Sequence, residues 1–332
     1  MKNGIYIYGV IQTSGPQDFG KIGIGDEASE VLTIEFKDLA AVISKSPFIA
    51  YDSLAKDKTI KDLVTHQFVI EKVMESFTII PVKFGTMVEA EDEVIKFLGK
   101  GYSLLNNELH KMEGKIELDV VAGWELPKIL TAICRDNPHI QKKQQEIALK
   151  GDKVSVEDKV TLGKLIEQAL KTRKASYNQL FLQTLKEGTV DVCLHDLAND
   201  EMIFNAAFLL EKKSEESFNK VVNVLDQHLE NTVNFRVVGP LPLYSFSTIL
   251  LERIDPFRLE EAKKTLGLNG EITDKTLRDA YYRLAQRCHP DKSSAEDSLN
   301  FHLITSAYRT LKNFIENGLI HVEVYRWEKD FK

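Results

Sequence analysis

The opening pattern is short and apolar. GIYIYGVI, from Gly4 to Ile11, sets β-branched and aromatic residues ahead of a polar stretch and reads as a strand. TSGPQDFGKIGIGDE, Thr13 to Glu27, reads as a Gly-rich loop. VLTIEF and LAAVIS read as two further strands joined tightly at Lys37-Asp38. A helix is expected from about Thr59 to Ser76. Ile60, Leu63, Ile70 and Met74 would share its apolar face, with Val64 beside them. FTIIPVKFGT reads as an extended piece broken by Pro81, which lacks a ladder donor. A second helix should span Glu91 to Met112, and GKIELDVVAGW should close the section as a strand.

The middle of the chain repeats this mixture. QKKQQEIALKGDKVSVEDKVTLGKLIEQALKTRKASYNQLFLQTL reads as helix, interrupted at Gly151-Asp152. VDVCLHDL and MIFNAAFLLE should pair around Ala198-Asn199-Asp200. Ser214 is the expected N-cap of an amphipathic helix carrying Phe218, Val221, Val222 and Leu225. VNFRVVGPLPLYSFSTILLE is extended again, with Gly239-Pro240 and Pro242 breaking regular pairing.

From Asp255-Pro256 onward the pattern is helical. Leu259, Ala262 and Leu266 mark a short helix ending at Gly267. Thr273 is the expected N-cap of the next, whose apolar face is Leu277, Tyr281, Leu284, Ala285 and Cys288. That helix should stop near His289, because Pro290 restricts the residue before it. After a polar loop, a third helix carries Phe301, Ile304, Ala307, Tyr308 and Leu311. The tail alternates at Ile320, Val322 and Val324, as an added strand or a packing arm would. The expected fold class is α+β: two α+β domains over 1–124 and 125–252, a small all-α helical hairpin over 253–317, and a tail over 318–332. The order β-β-β-α-α-β suggests that the first domain is ferredoxin-like.

Composition narrows the function. The 332 residues are 43% hydrophobic and 28% charged, enough for real cores and for solubility. A net charge of −7 argues against general nucleic-acid binding. No apolar run is long enough for a membrane span, and MKNGIYIYGVI lacks a signal-peptide cleavage site. Cys134, Cys193 and Cys288 are far apart and odd in number, which points to a reducing cytoplasm without a disulfide framework.

Candidate chemistry is sparse. Cys193-x-His195 could ligate a metal, but no second pair accompanies it, so a core Cys and a rim His are expected. His66 should be a surface or hydrogen-bonded histidine. Phe84-Gly85-Thr86 and the GKIGIG stretch match neither a P-loop nor GxGxxG, so both read as turns. KKQQEIALKGDK reads as a solvated helix face. LPLYSF reads as core packing in preference to an apolar patch. Cys288-His289-Pro290-Asp291 crowds its groups in adjacent positions, not at chelating spacing, and no nucleophile accompanies the His/Asp pair. No acid, base and nucleophile converge anywhere, so no enzyme activity, cofactor or metal is expected.

Two resemblances organise these pieces. LEEAKKTLGL, LRDAYYRLAQRCHPDK and FHLITSAYRTLKNF together resemble the J domain of DnaJ-type co-chaperones. Tripeptide, helix face and spacing all agree. The resemblance implies docking on a DnaK-type chaperone and stimulation of its ATPase through His289, Pro290 and Asp291, with Arg278, Arg283, Arg287 and Lys292 beside them. The stretch from Asp274 to Lys292 holds five Lys/Arg against three Asp, so it is locally basic on an acidic chain, as steering toward an acidic partner requires. IYIYGV, DLAAVIS, IIPVKFGTMVEAEDEV, FNAAFLLEKKSEESFNKVVNVL and VVGPLPLYSFSTILLE resemble the gas vesicle GvpF/GvpL family in order. Phe84, Gly85, Thr86, Gly239, Pro240 and Tyr244 carry its structural motifs. Where the family shows a GPWPPYSF-like segment, this chain has VGPLPLYSF, with the Trp and one Pro lost. The resemblance implies an accessory or minor structural protein of the cytoplasmic gas vesicle, associated with the shell protein GvpA during assembly. The joint expectation is an assembly factor that binds shell or accessory subunits and recruits a DnaK-type chaperone. The alternative is a minor structural component whose J-like hairpin is only an assembly surface.

Overall fold

In the computed structural model, the described residues are 3–25, 27–48, 56–229, 232–253, 256–270, 272–286, 295–318 and 320–327. They divide into two compact units. The first comprises Met1–Val73, Pro81–Leu109 and Ile249–Tyr325; the second comprises Met74–Ile80, His110–Thr248 and Arg326–Lys332.

The first unit is built on β1 (Asn3–Gln12), β2 (Asp18–Gly23), β3 (Ser29–Phe36) and β4 (Leu39–Pro47), hydrogen-bonded in the order β2-β3-β4-β1. The pairs are antiparallel, and Lys37 takes φ 59 in the tight β3–β4 turn. The Gly-rich stretch therefore holds a strand, β2, where the sequence suggests only a loop. Cross-strand pairing supplies what its composition does not. Every residue from Ile5 to Ile11 is buried, so β1 is covered on both faces instead of alternating. Helix α1 (Lys56–Met74) follows, then the short strands β5 (Ile79–Pro81) and β6 (Met87–Val88) and helix α2 (Glu91–Met112). The expected apolar face of α1 is corrected. Asp62, His66, Val69, Ile70 and Val73 are buried. Ile60, Leu63, Val64 and Phe68 are 50%, 47%, 63% and 51% exposed. Apolar residues occupy both sides of this helix, so periodicity alone does not choose between them. α2 docks on the β3–β4 turn: Tyr102 donates to Asp38 Oδ1 at 2.7 Å, and Lys37 Nζ lies 4.2 Å from the Tyr102 ring centre.

The second unit holds β7 (Lys115–Trp124), α3 (Leu126–Asp136), α4 (Pro138–Lys150), α5 (Val156–Lys186), β8 (Asp191–Leu194), β9 (Met202–Glu211), α6 (Glu215–His228) and β10 (Val233–Leu241). Its antiparallel sheet runs β10-β7-β9-β8. So β7, expected to close the first section, is a central strand here. Its even positions, Ile116 to Trp124, join Phe181, Phe204, Phe208, Phe218 and neighbours in one core. The break at Gly151 is real. Ser155 and Asp158 form a capping box for α5, and Asp158 is held well below the usual carboxylate range by bonds from Lys150 and Lys143. Ser214 stands at the N-terminus of α6 as expected, but its side chain makes no capping bond.

The last helices are α7 (Pro256–Leu266), α8 (Asp274–Ala285) and α9 (Ala295–Asn317). Leu259, Ala262, Leu266, Leu277, Ala280, Ile304, Ala307 and Leu311 form their shared core. Gly267, at φ 65, ends α7 in a Schellman arrangement: its N–H reaches Lys264 O at 3.1 Å, and Leu268 N–H reaches Lys263 O at 2.9 Å. Thr273 caps α8 with Thr276, as the sequence suggests. Strand β12 (Ile320–Tyr325) pairs with β11 (Thr248–Arg253), so the tail is an added strand. Leu277→Ala should cost about 2–5 kcal/mol, because its fully buried side chain would leave a cavity at the α7–α8–α9 contact. Urea denaturation of the full chain checks this; a loss under about 1 kcal/mol would contradict the packing described.

Candidate functional site

The helical hairpin presents a shaped surface. Leu277 and Ala280 turn inward, and the Tyr281 and Tyr308 rings meet at 4.5 Å between centroids, joining α8 to α9. Arg278, Tyr282 and Arg283 are exposed on α8. Arg278 lies 3.7 Å from Asp274, an exposed pair of small energetic weight. Arg287, His289, Pro290, Asp291 and Lys292 lie outside the described residues, as does Cys288. Of the seven expected docking residues, the structure thus places Arg278 and Arg283, on one exposed helix side.

Phe84, Gly85 and Thr86 belong to the first unit's interior edge. Gly85 takes φ 84, and its N–H donates to the Tyr6 hydroxyl at 3.0 Å. That hydroxyl also lies 3.0 Å from His66 Nδ1, and the His66 and Phe84 rings meet edge to face at 5.6 Å. Thr86 Oγ1 donates to the Lys83 carbonyl at 2.6 Å, closing the turn. This is a packed turn, as expected, with no phosphate cradle. His66 is the hydrogen-bonded histidine of the two options, and burial pushes it down to about 4.

Gly239, Pro240 and Tyr244 shape the end of β10. Gly239 has φ 144, and a Cβ there would meet Leu118 Cδ2 at 2.5 Å and the Glu117 carbonyl at 2.9 Å. Only glycine fits. Tyr244 is half-buried, and its N–H reaches Pro242 O at 2.7 Å. The turn that follows buries Leu243 and Phe246 against Met112, Cys193, Ala207 and Leu209. LPLYSF is therefore core, as read.

That turn also closes over a polar cluster that the sequence reading misses. Ser245 donates its N–H to Glu117 Oε2 at 2.9 Å and its hydroxyl to Oε1 at 2.7 Å. Ser245 Oγ lies 3.2 Å from His195 Nε2. The Trp327 N–H reaches Ser245 O at 3.0 Å, and Cys193 Sγ donates to the Trp327 carbonyl at 3.0 Å. Arg326 pairs with Asp191 at 2.5 Å. Burial drives the Glu117 carboxyl up to about 8, Asp119 to about 6 and the Cys193 thiol to about 11. The serine stands between acid and histidine, and its hydroxyl donates a hydrogen bond to the acid. A nucleophile would need the histidine in the middle, so this cluster is a structural clasp. The available signal is two acids at alternate positions, Glu117 and Asp119, inside an otherwise apolar strand. Cys193 is buried and His195 partly exposed, the core Cys and rim His expected. Among the described residues, no group of three His, Cys, Asp or Glu could hold a metal ion. No helix among them is long and apolar enough to cross a membrane.

Comparison with known proteins places these units. The family described as "Gas vesicle synthesis protein GvpL/GvpF" matches residues 4–248. The chain belongs to the GvpL/GvpF family. The DnaJ domain family matches residues 264–315, from the end of α7 through α8 and most of α9. Gas vesicle protein F of Microcystis aeruginosa is 27% identical over 254 residues, covering 75% of this chain and all of that protein. The crystal structure of GvpF from Anabaena sp. superposes with a TM-score of 0.62 at 26% identity, over 73% of this chain and 97% of that one. The mitochondrial DnaJ homolog 1 of Saccharomyces cerevisiae is 31% identical over 93 residues, 27% of this chain and 17% of that protein. A GvpL/GvpF body and a DnaJ domain therefore share one chain, and its α+β class agrees with the solved GvpF fold.

Glu117 makes a pH prediction. Its folded pKa lies above its ordinary 4.5, so the folded state holds the proton more tightly. That stabilisation is complete below about 4.5 and is lost as pH rises through about 8. Glu117→Gln should flatten the decline in melting temperature across this window; an unchanged decline would refute the assignment. Gly239→Ala should destabilise the chain by about 1–3 kcal/mol, read by chemical denaturation, because the β-carbon meets backbone.

Proposed function

We propose that this chain is a gas vesicle assembly factor with a built-in chaperone recruiter. The single observation that carries the reading is the presence of both matched families on one polypeptide, a GvpL/GvpF body over 4–248 and a DnaJ domain over 264–315. In this reading the body binds unassembled vesicle subunits, with the shell protein GvpA as the main client. The J domain then brings a DnaK-type chaperone to that client. His289, Pro290 and Asp291 form the docking tip, and Arg278, Arg283, Arg287 and Lys292 form its basic approach. The exposure of Arg278 and Arg283 on α8 supports this, because cations held away from the helical core can steer an acidic partner. The chain itself catalyses no reaction and needs no cofactor; ATP is bound and hydrolysed by the partner. Its place is the cytoplasm, at growing vesicles.

The test is the ATPase of a cognate DnaK-type chaperone. The intact chain should stimulate it, and Asp291→Asn or Arg283→Glu should return the rate toward baseline. Equal stimulation by Asp291→Asn would overturn the chaperone half. The 1–252 fragment should retain vesicle subunits in a pull-down, and failure to retain any would overturn the other half. Recovery of the chain at a fixed ratio in washed vesicles would replace the assembly reading with that of a minor structural component.

A further inference from the structure

Between the α3–α4 corner and the middle of α5, the second unit leaves an open cavity of about 740 Å³. Its shape follows from the sequence. Pro138 opens α4 and keeps Asn137 extended, at φ −100 and ψ 109, so the chain turns sharply between the two helices. On the facing wall Leu165, Ala169, Arg173 and Tyr177 recur every four residues and form one ridge of α5. Ala169, the smallest of them, leaves room at its middle. The ridge is about 18 Å long at 1.5 Å per residue. Ile133 belongs to the aromatic core of this unit, and Leu165, Ala169 and Tyr177 pack against that core. Phe181 holds the Tyr177 ring, with planes 5° apart and centroids at 5.7 Å. The floor is therefore apolar and fixed in place.

The polar groups around this floor are mostly donors. Among the described residues, Asp136 is the one carboxylate that lines the cavity. Arg135 already holds it, Nε to Oδ1 at 2.8 Å and Nη2 to Oδ2 at 3.4 Å. Arg173 Nη2 approaches the same carboxylate only to 3.8 Å. A guanidinium carries five N–H donors, so most of those on Arg173 are left for a ligand. Glu167, on the same helix, is taken by Lys171 at 2.6 Å. The surroundings agree in sign: residues 126–186 hold twelve Lys/Arg and six Asp/Glu, on a chain whose net charge is −7. The ligand that fits is an anion with an apolar body. A single guanidinium fork matches one carboxylate, whereas phosphorylated segments are met by arginine clusters. An 18 Å groove admits roughly five or six residues of extended chain at about 3.3 Å each, more than one small acid would fill.

We propose that the groove between the α3–α4 corner and the Leu165–Tyr177 ridge of α5 binds an extended acidic and apolar peptide segment of a partner protein, with a carboxylate on Arg173 and apolar side chains on the floor around Ala169. The inference stands on this cavity alone and holds whether or not that partner is a vesicle subunit. The floor supplies apolar area, the guanidinium fixes the register of the bound segment, and the excess of cations on α3, α4 and α5 draws it in.

The experiment titrates the full chain with a fluorescent octapeptide of alternating glutamate and leucine, its ends blocked, and reads anisotropy. Binding should saturate at one peptide per chain and weaken as salt is added. The same peptide with lysine for glutamate should not bind. Arg173→Gln should weaken binding about tenfold, and Arg173→Lys, which keeps the charge and loses the fork, several-fold. Ala169→Phe should block the groove. Lys186→Glu, exposed at the far end of the same helix, should change affinity by less than about twofold. The Arg173 variants should melt with the unaltered chain, so their loss reports on the site and not on folding. No saturable binding, or equal affinity in Arg173→Gln, would overturn the proposal. A loss in Lys186→Glu as large as that in Arg173→Gln would replace the site with a diffuse field. Displacement of the peptide by free glutamate or by an eight-residue oligouridine at lower concentration than by unlabelled peptide would overturn it in favour of a small acid or a nucleic acid. Dimerisation of the chain that Arg173→Gln abolishes would overturn it in favour of a second copy.

Discussion

Ser245 is the knot of the second unit. Its backbone and side chain hold Glu117, which stands 128 residues earlier in the chain. Its hydroxyl also meets His195, and its carbonyl accepts from Trp327. Three distant segments thus converge on one residue. A buried carboxyl is costly unless its oxygens are satisfied or its proton is kept, and here both conditions are met. The close approach of β10 to β7, which excludes a β-carbon at Gly239, sets the turn close enough for those bonds to form. The apolar pair Leu243 and Phe246 then seals the face. The second sheet therefore has two covered sides, a large aromatic core on one and a smaller clasp on the other.

The first unit solves a similar problem with rings. Tyr6 and Tyr8 lie on a strand buried on both faces, where hydroxyls have no water. Tyr6 pairs with His66 and Gly85, while Tyr8 pairs with Ser44 and takes the Ile24 N–H. Burial keeps the Tyr8 phenol at about 12, so it remains a neutral donor across the physiological range. The polar residues on the inner side of α1 are thus explained by the strand they meet. The apolar residues displaced outward are the cost of that arrangement.

Much of this was legible in the sequence, and the gaps have definite physical causes. α2 runs from Glu91 to Met112 as its pattern indicates, because acids at its start and one apolar face agree. The last three helices are equally plain, since Thr273, Gly267 and Leu277 each carry an independent local signal. The orientation of α1 was not legible, because both of its sides hold branched apolar residues and the deciding contact is a tyrosine on another element. β2 was hidden by glycine, whose local preference is outweighed by ladder pairing. β7 changed allegiance because sequence neighbourhood says nothing of which sheet a strand enters. The Ser245 clasp was invisible for the same reason: its partners lie far apart, and serine alone signals nothing. At the candidate site, motif and spacing identified the hairpin, and the structure placed Arg278 and Arg283 on its exposed side.

The pairing of β11 with β12 has one more consequence. The J helices lie between these strands in sequence, and the strands lie side by side. The helical module is thus a loop fastened at its base, unlike a pendant on a string. A single cut between α8 and α9 would leave each half still attached to the strand that flanks it.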